Sequence, residues 1–371
     1  MLNTGLTTVQ HSPVYFCRLM KNLKRAWERI TNWELWPFAL IYAPLGPLWL
    51  YYAIKAKAFW FFTPTDPTLT FAGFEGEGKK EMYDQLPERS FPKTIYIEPV
   101  QPFESVKQAV ELHGFSYPFC VKPESGLKGL LFRKVDSEEK LRFYHERVPV
   151  AYMIQELVEA PLEVSVFYYR HPAKPTGTVS GFIQKEMMHV LGDGQMTLWE
   201  QILEHPKAKY RLEEMRIKHE KVLSAIIPSG EKYILAHAAN LNRGARFTNL
   251  YQHIDEKLVK LFDPLSHRCS FYYGRYDLKC DSIEDLKEGR YTILEFNGTG
   301  SEPNHVYNAG CSWFDALKEF AHHWRVMYEI GKYNHKHKGI RYWGNREGYK
   351  FLKQARLHTA VLEKAEREIL L

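Results

Sequence analysis

Short strand-like runs rich in apolar, β-branched and aromatic residues recur between positions 94 and 185, separated by segments with glycine, proline or other turn formers. They predict strands over 94–97, 119–122, 151–155, 163–169 and 179–185, with helical patterns over 105–113 and 137–147. Strands separated by single helices predict a mixed sheet in an α/β (α+β) fold. Further on, a charged helical block over 199–224 leads to an apolar segment at 233–238 and a helix over 251–262. A strand pair over 272–279 and 291–297 follows, and a closing helix starts at Trp313. No repeat of 20–50 residues is evident.

The pattern differs upstream. Residues 35–54 are a charge-free run, LWPFALIYAPLGPLWLYYAI, and as one straight helix at about 1.5 Å per residue it would reach about 30 Å, the thickness of a bilayer core. Pro37, Pro44, Gly46 and Pro47 interrupt it, and Lys21, Lys24, Arg25 and Arg29 precede it, with Lys55 and Lys57 after. A hairpin entering one leaflet fits better than a span. The belt of Trp33, Trp36, Trp49, Tyr51, Tyr52 and Trp60 suits the headgroup zone. Packing of the segment on the protein's own core or on a second subunit is the alternative. A charged stretch precedes the apolar run and no small-residue cleavage site follows, so no secretory signal is expected and the mature chain is expected to start near Met1. These shifts in texture divide the chain into 1–62, a basic and aromatic helical segment; 63–118, opened by TPTDPT and GFEGEGKK; 119–330, the main α/β body; and 331–371, a basic helical tail.

Composition narrows the classes. With 371 residues, 45% hydrophobic and 25% charged, the chain can bury a core in two or three packed units, and 23 glycines with 20 prolines exclude collagen-like or low-complexity architecture. Five scattered cysteines, Cys17, Cys120, Cys269, Cys280 and Cys311, contain no CxxC pair. A disulfide framework or zinc knuckle is not expected, and a reducing, cytoplasmic compartment is. The net charge of +6 sits in the tail, where residues 332–371 carry ten Lys and Arg against four Glu. Because acidic residues interleave from Glu363 onward, the tail reads as an amphipathic helix packing one side on the body rather than as a nucleic-acid arm.

Candidate chemistry concentrates in the last strand pair. Arg275 and Asp277 lie two apart in YYGRYDLK, as do Glu295 and Asn297 in TILEFNGTG, so each pair shares one face of its strand. Two carboxylates and an amide oxygen are hard ligands of the kind magnesium takes beside phosphate oxygens, and the guanidinium can hold a phosphate or a developing anion. A surface hairpin with a salt bridge would show the same spacing. Upstream, FCVKPESGLKG puts Lys122 at a strand end before Gly126 and Gly129, where small residues let backbone amides approach phosphate. Glu156 and Glu163 flank a proline turn, and Lys185 precedes a GDG loop.

In this order and at these spacings the set resembles the ATP-grasp fold, and within it the D-alanine–D-alanine ligases and cyanophycin-synthetase-like carboxylate-amine ligases, over roughly residues 75–325. The resemblance implies two α+β subdomains clasping ATP. It implies that Lys79 (or its neighbour Lys80) and Lys122 hold the α and β phosphates, with Gly126 and Gly129 in the loop beside them. Glu156 and Leu157 would form the hinge at the adenine, Glu163 would bind the ribose hydroxyls, and Lys185 would sit above the triphosphate with residues 192–194 as a mobile loop over it. Asp277, Glu295 and Asn297 match the ligands of Mg2+, for which Mn2+ could substitute, and Arg275 matches the residue that steadies the acyl phosphate. The implied activity is ADP-forming ligation of a carboxylate to an amine.

Departures accompany it. The acceptor loop reads NGTGSEPNHVYNAG, so the acceptor pocket differs and D-alanine is not the expected substrate. Glu302 and His305 there are candidates to bind an amine or act as a base, and Arg243 and Arg246 to clamp a carboxylate or form surface salt bridges. The expected partners are ATP, small-molecule or lipid-linked carboxylate and amine substrates, a membrane surface at the inner face, and a second copy in a homodimer, with no nucleic acid. A non-catalytic or regulatory ATP-binding module at the membrane is the alternative reading.

Overall fold

The computed structural model describes residues 27–369 apart from 128, 237, 238, 240, 308 and 309; Cys17, Lys21, Lys24 and Arg25 lie outside the described residues. The aromatic segment forms two helices, α1 (Phe38–Tyr42) and α2 (Gly46–Ala56), joined by a 3-10 turn at Ala43–Leu45. Pro44 and Pro47 fall at the first turns of the second and third of these elements, where a missing N–H costs no helical bond. A short helix α3 (Lys79–Tyr83) leads into the first sheet.

That sheet holds β1 (Thr94–Ile97), β2 (Phe119–Pro123), β3 (Arg133–Val135) and β4 (Tyr152–Glu156) in the order β1-β4-β2-β3, with α4 (Phe103–Leu112) and α5 (Glu138–His145) between strands. Ser137 caps α5 through the Lys140 N–H. The second sheet begins with β5 (Leu162–Tyr169) and β6 (Thr178–Glu186). A small ribbon, β7 (His189–Leu191) with β8 (Lys232–Ile234), then carries α6 (Leu198–Glu204) and α7 (Leu212–His219). The chain returns through β9 (Arg246–Asn249), α8 (Glu256–Cys269), β10 (Tyr273–Cys280), α9 (Ile283–Lys287) and β11 (Thr292–Asn297), giving the order β11-β10-β5-β6-β9. Two long helices close the chain, α10 (Trp313–Lys338) and α11 (Asn345–Glu368).

The fold is α/β as expected, but the sheets are antiparallel throughout rather than mixed. The crossover β1–α4–β2 does leave its two strands running the same way. β4, however, inserts between them antiparallel to both. The helical block expected over 199–224 is broken, because His205 precedes Pro206 and takes extended geometry, which ends α6. The helix expected over 251–262 starts later, at the Asp255 cap, and continues through Pro264 to Cys269.

One side of the aromatic segment is packed on the protein's own core. Trp33, Ile41 and Leu45 are buried with Val306, Tyr307 and Phe320, while Tyr52 and Ala53 join Phe61, Phe62 and Tyr328. Its outer residues Phe38, Leu40, Leu50, Tyr51 and Ile54 stay exposed. Among the described residues no helix is long and apolar enough to cross a membrane. The basic tail packs as well. Leu362, Ala365 and Ile369 enter the core of the first sheet beside Val121, Leu131 and Val135, and Glu366 pairs with Arg133 at 3.2 Å.

One close approach sets the position of the loop leaving β11. Thr299 and Gly300 donate backbone N–H groups to the carbonyls of Ala72 and Gly73 at 2.9 and 3.1 Å. A Cβ on Gly300 would lie 1.8 Å from the Phe74 carbonyl oxygen, and one on Gly298 2.5 Å from that of Ala72. Both glycines are therefore required by contact, and the loop leaving β11 is seated on residues 72–74.

Candidate active site

Alternation on four neighbouring strands brings the charged residues to one face. Asp277 on β10 lies directly across from Glu295 on β11 and from Ser165 on β5; Arg275 lies across from Asn297, and Glu163 across from both Lys185 and Lys279. Directly opposed side chains on one face sit about 5 Å apart at Cβ. Lys185 Nζ is 2.9 Å from Glu163 Oε1 and 3.3 Å from Asp277 Oδ2, with 8% of its side chain exposed. Arg275 Nε donates to Asp277 Oδ1 at 3.3 Å, and Ser165 Oγ donates to the same oxygen at 2.7 Å.

Helix α3 and strand β2 of the first sheet contribute two lysines. Lys79 Nζ is 3.0 Å from Glu295 Oε1 and donates to the Gly126 carbonyl at 3.2 Å. Lys80 pairs instead with Asp84 at 2.6 Å on the exposed side of α3. Lys122, half-buried on β2, acts on Glu295 through space. Burial pushes the Glu295 carboxyl up, yet Lys79 and Lys122 hold it below its ordinary range despite the repulsion of Asp277. Asp277 behaves alike: burial opposes its charge, and Arg275 and Lys185 still hold its carboxyl down. Burial likewise disfavours the Lys185 ammonium, but Asp277 and Glu163 raise it above its ordinary value. All three groups are thus charged at neutral pH.

The Gly126 loop is held from outside the sheet. Ser125 Oγ donates to the Gly76 carbonyl at 3.2 Å, the His358 ring on α11 lies 2.8 Å from the Ser125 carbonyl, and Gly129 has a φ of 67° that suits glycine. Glu156 ends β4 exposed, its N–H donating to the Lys93 carbonyl at 3.0 Å, and half-buried Leu157 follows. Lys279 fixes this connection by donating to the Val158 carbonyl at 2.8 Å. Asp277, Glu295 and Asn297 together offer oxygen donors at adjacent register positions, and the Asn297 amide nitrogen is buried without a partner. The donor set fits a hard divalent cation such as Mg2+.

Other expected residues lie elsewhere or are engaged. The Glu302 carboxylate accepts from Tyr42 of α1 and from Tyr307, both at 2.6 Å, and its backbone carbonyl lies 3.4 Å from Arg275 Nη1. It is therefore a half-buried anchor between the aromatic segment and the loop leaving β11. His305 faces Glu319 on α10 at 3.1 Å. Arg243 pairs with Glu214 and Glu366, and Arg246 is exposed on β9 beside the register position of Glu186. Residues 192–194 form a hydrogen-bonded turn. Gly192 N–H donates to the Glu231 carbonyl at 2.8 Å and Gly194 N–H to that of Ile227 at 3.2 Å, while Asp193 accepts from the Gln195 and Met196 N–H groups.

Two polar residues at the centre escaped sequence reasoning. Ser165 lies two positions after Glu163, so alternation alone places it on the same face. Asn304, whose amide donates to Ser165 Oγ at 3.2 Å, comes from the loop after β11 and had no local signal.

No protein-family model matches the chain, and no curated protein matches it. Among solved structures the chain is similar to a D-alanine–D-alanine ligase from Bacillus anthracis, at 13% identity and a TM-score of 0.40 over 70% of this chain and 69% of that one. It is similar to a D-Ala:D-Ser ligase from Enterococcus faecalis at 13% identity and a TM-score of 0.40, over 70% and 62%. A bifunctional glutathione synthetase from Pasteurella multocida gives 13% identity and a TM-score of 0.38, over 65% of this chain and 35% of that one. At these scores the likenesses carry no functional weight, which falls on the residues of the site.

Proposed function

We propose that the chain is an ATP- and Mg2+-dependent ligase of the ATP-grasp kind that activates a carboxylate as an acyl phosphate and joins it to an amine. The observation that supports this reading best is the opposed pair Asp277 and Glu295, each neutralised by a lysine from a different element, Lys185 of β6 and Lys79 of α3. Such a cluster binds a polyanion and its counter-cation by exchanging partners: phosphate oxygens replace the carboxylates on the lysines, and the carboxylates turn to the cation. Mg2+ held by Asp277, Glu295 and Asn297 would neutralise phosphate charge.

The chain's own residues then do the positioning. Lys79 and Lys122 bind phosphate oxygens, the backbone at Glu156 and Leu157 meets the base, and Glu163, released by Lys185, accepts from the ribose hydroxyls. A substrate carboxylate oxygen attacks the γ phosphorus, the bond from phosphorus to the β–γ bridging oxygen breaks, and ADP leaves. An amine nitrogen then attacks the acyl carbon and loses a proton; Arg275 donates to the developing oxyanion, and the acyl C–O bond breaks to release phosphate. Catalysis of this kind is mainly alignment and charge stabilisation.

The test is incubation of the protein with ATP, Mg2+ and a metabolite and lipid extract. Phosphate release together with a new mass equal to two extract components minus water is expected for the wild type and not for Lys122→Ala. Mg2+-dependent ATP binding with neither release nor a new mass would favour a regulatory nucleotide-binding module instead.

The exposed row Phe38, Leu40, Leu50, Tyr51 and Ile54, next to exposed Lys55 and Lys57, supports peripheral contact with an anionic membrane that presents a lipid-linked substrate. Flotation with phosphatidylserine vesicles should carry the wild type upward and leave Leu50→Asp/Ile54→Asp behind. A wild-type protein that stays at the bottom at low salt removes this contact.

A further inference from the structure

Outside the proposed nucleotide site, three potential metal ligands converge where the acceptor loop meets α10. Glu319 and His323 are four residues apart on that helix and so share a face, and His305 reaches them from the 3-10 turn Asn304–Val306. His305 Nε2 is 3.1 Å and His323 Nε2 3.2 Å from the same carboxylate oxygen, Glu319 Oε1, and the three ligand atoms lie within 4.8 Å of one another. We propose that His305, Glu319 and His323 form a site for a divalent transition metal, zinc by its donor set, that clamps the acceptor loop to α10.

The geometry agrees with that chemistry. Tetrahedral zinc with bonds of about 2.0–2.1 Å holds its ligand atoms about 3.3–3.4 Å apart, close to the two nitrogen–oxygen separations already present. Two imidazoles and one carboxylate suit zinc better than magnesium or calcium. His323 has only 1% of its side chain exposed, and its Nε2 is buried and makes no hydrogen bond; the 3.2 Å approach to Glu319 lacks hydrogen-bond alignment. Its other ring nitrogen lies 3.2 Å from the Tyr273 hydroxyl. Donation from Nδ1–H to that oxygen would fix the tautomer that leaves Nε2 able to coordinate, as outer partners of metal-bound histidines do.

Room is made for the loop histidine. A Cβ on Gly181 of β6 would lie 2.1 Å from His305 Nδ1, so the strand gives up a side chain where the ring seats. Glu319 remains a third exposed, which leaves a solvent side for a water as fourth ligand. The site bears on the reaction centre through one residue: Asn304, adjacent to His305, donates to Ser165, which donates to Asp277. The inference stands independently of the ligase reading.

The experiment uses untagged full-length protein, stripped with chelator and dialysed against ZnCl2 or CoCl2. About one zinc per chain by elemental mass spectrometry is expected after buffer exchange, and the cobalt form should show the strong visible bands of four-coordinate Co2+. His305→Gln/His323→Gln should lose the bound metal, and Tyr273→Phe should weaken zinc binding by about 10–100-fold. Glu295→Ala, which alters the other site, should keep full stoichiometry. A folded wild type that takes up no zinc, or uptake unchanged in the double variant, overturns the proposal. The wild-type stoichiometry and cobalt spectrum decide the matter even if a variant fails to fold.

Discussion

Glu295→Ala is expected to lower ATP-dependent turnover by at least about a hundredfold while the protein stays folded, since removing one preorganised charge at a phosphoryl-transfer site costs about that much or more. Glu295 sits opposite Asp277 and holds Lys79, so its loss removes a candidate cation ligand and frees a lysine in one step. Far-UV circular dichroism alongside the phosphate assay separates loss of the site from loss of the fold. A Glu295→Ala protein with wild-type turnover would mean that the β10–β11 face is not the reaction centre.

Lys185→Met is expected to have the largest effect on stability. Lys185 bridges Glu163 and Asp277, and neither it nor Asp277 has more than 8% of its side chain exposed. Deleting one partner of a buried ion cluster leaves carboxylate charge uncompensated, at a cost of about 3–5 kcal/mol. The sign of the pH dependence follows from the two shifts. Asp277 is held below its ordinary 3.8, so its contribution is present above that value and lost as the pH falls through the lower, folded one. Lys185 is raised above its ordinary 10.5, so its contribution is present below that value and lost as the pH rises through the higher one. The gap in urea midpoint between wild type and Lys185→Met should be wide at neutral pH and shrink as the pH falls below about 3.8. A gap that is absent at neutral pH, or equally wide in acid, would contradict the cluster as described.

Both effects arise from residues whose placement follows from a simple rule. Strand side chains alternate, so the two-residue spacings of Arg275 with Asp277 and Glu295 with Asn297 are visible in the sequence as shared faces. Which strands stand beside each other is not visible, because register and order come from long-range packing. The insertion of β4 between β1 and β2 therefore turned an expected mixed sheet into an antiparallel one. The strands β3, β7 and β8 span three residues each, too few to stand out in the sequence. Lys79 and Lys80 are equivalent as neighbours in sequence. They separate only once α3 turns one toward Glu295 and the other toward Asp84.

The aromatic segment marks the other limit. Its residues carry the same composition whether they meet lipid or protein, and only the position of α10 shows that Trp33, Ile41 and Leu45 are covered. The role of Glu302 was hidden for the same reason. Its partners Tyr42 and Tyr307 lie on separate elements, and Tyr42 is 260 positions away. A carboxylate that looks available for an amine in sequence is engaged by two hydroxyls in the fold.

The central claim is that a carboxylate is activated as an acyl phosphate on the β10–β11 face. Hydroxylamine, added with ATP, Mg2+ and the extract, intercepts such an intermediate in place of the natural amine. Hydroxamate formed in equal amount to ADP by the wild type, and absent with Glu295→Ala, is the expected result. AMP and pyrophosphate as products, or ADP release with no hydroxamate, would contradict it.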